Sequence, residues 1–395
     1  MTIAKDARQF YLPSRAIATT LSLLFAFFYS KELGVMNRSL VAVVMTLSVM
    51  IIIFATSGTT LTLRNLQPAE KIVKYLSSFI SLVLIEVVVG LLLFYVSLMI
   101  FSTFRVPLPT TIIPVALFYF ISSAMHLIFM EILIAFKRFK IAGLLEVLTI
   151  LLQFLFFFMA KFAIGISIAG RLFLALSASY LIVAIFCYLE LRPELTEIKK
   201  LGDPRIIFKQ SKGNHSIGTV LGMVDRLDRL VIAWFLPIVL LGKFAVMSSF
   251  MSFFRFIPDA LSKILISTKS ETWRKYLKSP ILIIVGLTSF AGASVFLSQI
   301  LISRMLSPEW LLPWGVAFIF ALQELARGVF QLSGNYKVSI GISQQTHKAS
   351  LLLLLSAVPM AITFAHWFGL IGVPLGFLIS YIGVLFYVGN RAHSD

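Results

Sequence analysis

The chain has 395 residues, 59% of them hydrophobic and 13% charged, with a mean hydropathy of +0.97, a balance that excludes an ordinary soluble globular domain. Its formal charge of +17, from 34 Lys and Arg against 17 Asp and Glu, would suggest nucleic acid in a soluble protein. Here the bases follow a topological pattern instead, and no nucleic-acid partner is expected. The one cysteine, Cys187, excludes an intramolecular disulfide and, in its apolar run, reads as a small buried or lipid-facing residue.

A polar start with Lys5 and Arg8 leads into an apolar stretch, followed by Lys31-Glu32-Leu33-Gly34. Those residues form no small-x-small cleavage site, so a retained first helix is expected rather than a signal peptide. A helix crossing the hydrocarbon core needs roughly 20 apolar residues. Such runs recur at 15–30, 40–58, 78–101, 111–135, 143–163 and 168–189. After the polar stretch Glu190 to Lys212 they resume at 216–236, 243–266, 280–303, 310–332, 349–367 and 370–389. The expectation is an all-α protein with twelve spans in two six-helix bundles, residues 1–190 and 214–395, joined by a cytoplasmic linker at 191–213. Each half then starts on the same side of the membrane, as a parallel repeat requires. Leu33-Gly34 and Leu241-Gly242, each read as ending the first helix of its half, give that repeat its slight sequence signal.

Lys and Arg fall in alternate gaps between these spans with a bias of about three to one, which places both termini in the cytoplasm. Trp310, Trp314, Trp367 and Tyr11 fall near the span ends, where an interfacial aromatic belt is expected. Phenylalanine runs such as Phe154 to Phe158 cover several faces of a helix and suit lipid rather than a substrate box.

Charges inside the spans carry the functional signal, because an ionised side chain at a helix centre costs roughly 2.5–3.5 kcal/mol unless it finds a partner or a wet cavity. The seventh span holds Asp225, Arg226, Asp228 and Arg229, with Asp225 one turn ahead of Arg229 in the favourable order for a local pair. In the eighth, Arg255, Asp259 and Lys263 recur every fourth residue along one face, beside Pro258. The tenth adds Gln323, Glu324 and Arg327, and the first has Arg15 with no acid one turn away. Glu86, Glu131, Glu146 and His126 complete the set; His126 reads as a satisfied core histidine. Two explanations stand side by side: ion pairs and snorkelling side chains, or a hydrated cavity shared by neighbouring spans. No phosphate-cradling Gly-rich loop, nucleophile elbow or metal-spaced His and Cys cluster occurs, so no enzyme, cofactor or metal is expected. Active transport would then draw on an ion gradient or the membrane potential.

Asp228 to Leu236, followed by Leu241-Gly242-Lys243-Phe244, resembles the seventh helix of bacterial polysaccharide flippases, in which an Asp-Lys/Arg pair precedes an apolar run and Leu-Gly-x-Tyr/Phe closes the turn. Pro258-Asp259-Ala260-Leu261 is similar to a Pro-x-Ala-Leu stretch in the next helix, and Leu33-Gly34 to the end of the first. Asn37 stands where those proteins commonly have Gly, and a Pro frequent at the end of their eighth helix is missing near Ser267. The resemblance implies membership of the superfamily shared with MATE-type multidrug exporters, with two six-helix bundles around a central cavity. It also implies flipping of an undecaprenyl-pyrophosphate-linked oligosaccharide across a bacterial inner membrane, in company with membrane lipids and glycan polymerase machinery. On this reading Arg15, Arg226, Arg229, Arg255 and Arg327 bind the phosphates, and Asp225, Asp228, Asp259 and Glu324 balance charge or carry a coupling ion. A small-molecule exporter is the main alternative. Short outer gaps disfavour a membrane polymerase or ligase.

Overall fold

A computed structural model describes residues 10–66, 69–106, 108–162, 165–196, 201–251, 280–339 and 343–391. Side chains within several helices, including 212–219, Asp225, 280–290 and 335–345, lie outside the description. The described chain is helical: α1 (Leu12–Asn65), α2 (Ala69–Phe104), α3 (Ile112–Ala135), α4 (Phe139–Ala160), α5 (Ile168–Glu190), α6 (Arg192–Thr196), α7 (Pro204–Phe235), α8 (Ile238–Met251), α9 (Pro280–Met305), α10 (Trp314–Ser339), α11 (Ser343–Phe368) and α12 (Gly372–Arg391). Each of the twelve expected spans coincides, at least in part, with one of these helices.

Seven stretches among the described residues are long and apolar enough to cross a membrane, and two of them, Leu12–Thr56 and Thr346–Tyr387, are 45 and 42 residues long. At 1.5 Å per residue each is about 60–70 Å of helix, twice the hydrocarbon thickness, so each supplies two crossings. The breaks are glycines. Gly34 has φ 71° and ψ 166°, a region open essentially to glycine alone, and there α1 turns back: Arg38 reaches Ser30 at 3.1 Å and lies 4.9 Å from the Tyr29 ring centroid. Gly369, at φ 61°, opens the 3₁₀ turn between α11 and α12.

The chain forms two compact units, one of Met1–Phe25 and Val44–Met223, the other of Ala26–Val43 and Val224–Asp395. The turn at Gly34, with its flanking segments, therefore belongs with the C-terminal helices. In the first unit α3 packs on α5, α4 on α5 and α2 on α3; Phe25 meets Phe154 edge-on at 4.9 Å and Phe94 stacks on Phe120 at 5.0 Å. In the second, α11 packs on α12, α10 on α12 and α9 on α10, with Phe244 against Phe320 at 4.3 Å.

Three details differ from the sequence expectation. The seventh helix ends at Phe235, before Leu236-Pro237, and Leu241-Gly242 lies inside α8 rather than at a helix end. Its glycine serves close approach: a Cβ there would overlap the Val35 carbonyl oxygen and crowd Ser39, just past Gly34. The two Leu-Gly pairs thus sit side by side in the second unit. Within the polar stretch after Glu190, α6 and the start of α7 are already helical. Tyr11 and Trp310 are buried instead of lying in an aromatic belt, because Tyr11 packs on Phe139 and directs its hydroxyl to Glu146, while Trp310 folds inward on a 3₁₀ turn. Trp314 and Trp367 are exposed, as a belt requires.

Candidate functional site

α7 enters the second unit at Val224 and carries Asp228 and Arg229 on a face with Val224, Val231, Ile232 and Ala233, which are all buried. Asp228 is 0% exposed, which forces it to find partners inside the protein. They come from α10. Arg327 Nη2 lies 3.3 Å from Asp228 Oδ2, and Gln323 Nε2 donates to the same oxygen at 3.1 Å. The spacing of Gln323, Glu324 and Arg327 puts them within one turn of α10, so Arg327 Nη1 also meets Glu324 at 2.5 Å. The guanidinium is completed by Nε donating to the Tyr381 hydroxyl of α12 at 3.2 Å. Asp228 Oδ1 accepts from the Arg229 backbone N–H at 2.7 Å, and the Arg229 side chain donates to Ser248 of α8. One buried constellation thus joins α7, α8, α10 and α12. A lone Arg327 at 1% exposure would be prohibitive in such a setting; flanked by two carboxylates and a hydroxyl it is accommodated.

Of the residues singled out from sequence, Asp228, Arg229, Glu324 and Arg327 are therefore brought together. Arg226 is half-buried on the same helix. Arg255, Asp259 and Lys263, and the side chain of Asp225, lie outside the described residues. The expected local pairing of Asp225 with Arg229 therefore falls outside the described residues; the Arg229 side chain donates to Ser248.

Arg15 belongs to the first unit and is not alone: its Nη1 lies 2.8 Å from Glu146 of α4, where the Tyr11 hydroxyl also approaches at 3.4 Å. Arg64 pairs with Glu131 across α1 and α3. Arg138 holds Glu190 at 2.9 Å and also Glu194, tying the α3–α4 turn to α5 and α6. His126 is 3.2 Å from Thr149 Oγ1 and 4.8 Å, ring to ring, from Tyr180, a satisfied core histidine. Cys187 is buried beside Met130. Among the described residues no His, Cys, Asp and Glu group is arranged to hold a metal ion.

Sequence reasoning missed Tyr381, Ser248 and Arg38. Tyr381 follows Ser380 within an apolar stretch of α12, which is the only signal it offers. Arg38, in the gap between the first two expected spans, is 4% exposed and rests on Tyr29.

No protein-family model matches the chain, and none of the curated proteins matches it in sequence. Solved structures match along its whole length. A mutant of the Vibrio cholerae MATE transporter VcmN superposes with a TM-score of 0.66 at 14% identity, covering 100% of this chain and 98% of that one. The chain has the MATE transporter fold. The eukaryotic MATE transporter AtDTX14 shares it, with a TM-score of 0.70 at 15% identity over 99% of this chain and 96% of that one. So does a MOP-superfamily transporter from Pyrococcus furiosus described by the reverse polarity of its binding pocket, with a TM-score of 0.60 at 12% identity over 99% of this chain and 98% of that one. The MATE fold accounts for the seven apolar stretches as those of a multi-pass membrane protein.

Proposed function

We propose that the chain is an alternating-access transporter that flips a pyrophosphate-linked oligosaccharide lipid from the inner to the outer leaflet of a bacterial inner membrane. The observation that carries this reading is the Asp228–Arg229 pair on α7, the part of the sequence most similar to polysaccharide flippases, seated in a buried polar constellation within a MATE fold. Phosphate oxygens suit guanidinium forks. Arg226, Arg229 and Arg255 are assigned to the substrate. Arg327 and Arg15 are engaged by carboxylates and would contribute only when those pairs open. Asp225 and Asp259 balance the charge. The Pyrococcus furiosus neighbour, whose reverse pocket polarity is described as suggesting a different function, supports a reading in which this fold serves more than one function.

The second reading, a cation-coupled exporter of small molecules, is favoured by the MATE neighbours described as multidrug resistance transporters. Export of surface glycan in a strain lacking the gene separates the two. Restoration by the wild-type gene, its loss with Arg226→Ala or Arg229→Ala at normal membrane levels, and unchanged ethidium efflux are expected. Ethidium efflux that follows the gene, with glycan export untouched, would replace the flippase by the exporter.

A further inference from the structure

Among the described residues of the first unit, Glu86 is an acid within a span that the ion pairs leave aside. It stands midway along α2 (Ala69–Phe104), the depth at which a membrane helix is driest. It lies on the inward face with the buried Phe79, Val83 and Phe94, while Leu84, Ile85, Val88 and Val89 beside it are exposed on the lipid-facing side. Its Oε1 is 2.6 Å from the hydroxyl of Thr59 on α1, and Thr59 is fully buried. The other oxygen, Oε2, is buried without a hydrogen-bond partner among the described residues. The packing around it is close: one turn on, a Cβ at Gly90 would meet Phe120 of α3 at 3.1 Å and Ala55 and Ile51 of α1 at 3.6 Å.

The charged groups on the helices packed there are occupied elsewhere. Arg64 of α1 is taken by Glu131 of α3, and His126 of α3 by Thr149 and Tyr180. Lys74, on α2 itself, lies over Tyr75, twelve residues and about 18 Å of helix away. A carboxylate in hydrocarbon with a single hydroxyl donor leaves most of its acceptor sites empty, whereas the neutral acid needs far less. Thr59 serves either form, donating to the charged one and accepting from the protonated one across the same short distance. Glu86 is half-buried, and the geometry suits a proton held while Oε2 is covered and released when water reaches it.

We propose that Glu86, positioned by Thr59, is the proton-binding site through which transport is coupled to a proton gradient. Thr59 stands on α1, the helix whose middle segment, Ala26–Val43, belongs to the second unit. Making and breaking its bond to Glu86 acts on a helix that passes through both units in sequence. The assignment deepens the transporter reading and rests on it, but the site is detectable without any cargo.

Protonated carboxyls in apolar surroundings add to dicyclohexylcarbodiimide, protonating its nitrogen as the carboxylate oxygen bonds its central carbon, so it reports the state of Glu86 in the full-length protein in lipid. Mass spectrometry is expected to find the adduct on Glu86, with labelling that declines as pH rises, and to find none at that position in Glu86→Gln. In cells, Glu86→Gln inserted at wild-type levels is expected to lose gradient-driven glycan export, with partial retention by Glu86→Asp and by Thr59→Ser but not by Thr59→Val. Absence of an adduct at every pH, or Glu86→Gln export at the wild-type rate with wild-type sensitivity to a protonophore, would overturn the proposal. If Glu86→Gln fails to insert, labelling of the wild type decides. An adduct on Glu86 with ethidium efflux, rather than glycan export, lost in the variant upholds the proton site and overturns the glycan reading alone.

Discussion

Arg327 is the residue on which the buried constellation depends, since among the described residues it alone faces Asp228, Glu324 and Tyr381 together. Removing one partner of a buried pair costs about 3–5 kcal/mol because the charge left behind stays buried. Arg327→Met strands two carboxylates and is expected to lower the melting temperature in detergent substantially. Glu324→Gln is milder, because the amide oxygen still accepts from Nη1 while Asp228 keeps its own bond to the guanidinium. Equal destabilisation by the two variants would show that the guanidinium does not organise the cluster. The presence of these groups was legible in the sequence, as charges in apolar helices, but their partners were not. Asp228 and Arg327 lie 99 residues apart, and Glu146, which engages Arg15, is 135 residues from Tyr11. Spacing along one helix reveals only pairs on that helix. For this reason Arg15 looked alone, although Glu146 engages it.

At the level of elements, α1 depends on one backbone conformation. Gly34 holds dihedral angles that cost a side-chain-bearing residue about 1–3 kcal/mol, although a Cβ there would touch nothing. The penalty of Gly34→Ala is thus purely conformational. Gly242→Ala is different in kind, because its helical backbone accepts alanine while the Val35 carbonyl blocks the methyl group. Both variants are expected to lower the melting temperature, with Gly242→Ala the more severe since two backbones must separate. Gly383→Ala on α12 meets open space and has ordinary helical dihedrals, so it should be neutral or gain the roughly 0.5–1 kcal/mol of helix propensity that glycine forgoes. Span positions were readable from hydropathy because a core about 30 Å thick demands a fixed length of apolar chain. Helix ends were not, because membrane helices extend past their apolar windows: α7 begins at Pro204, within the polar stretch taken for a linker.

For the whole molecule the orientation rests on the distribution of Lys and Arg. Positive charge is retained on the cytoplasmic side, and a bias of about three to one between alternate gaps is decisive only if the number of crossings is even and each is placed correctly. The helices support that placement: the long stretches Leu12–Thr56 and Thr346–Tyr387 each split at a glycine turn into two crossings, so neither shifts the register of those that follow. Cys187 makes the test direct. As the one cysteine, fully buried against Met130, it can be replaced by Ala to leave a background without accessible thiols. In that background Lys31→Cys and Lys161→Cys are expected to react with a membrane-impermeant maleimide on intact cells, while Lys137→Cys and Lys209→Cys react only after the membrane is opened. The reverse pattern would invert the protein, and with it the direction of transport proposed for the α7 arginines. A mixed pattern within the first four crossings would mean that α1 crosses once rather than twice, which the turn at Gly34 and the Arg38 contacts to Tyr29 and Ser30 argue against.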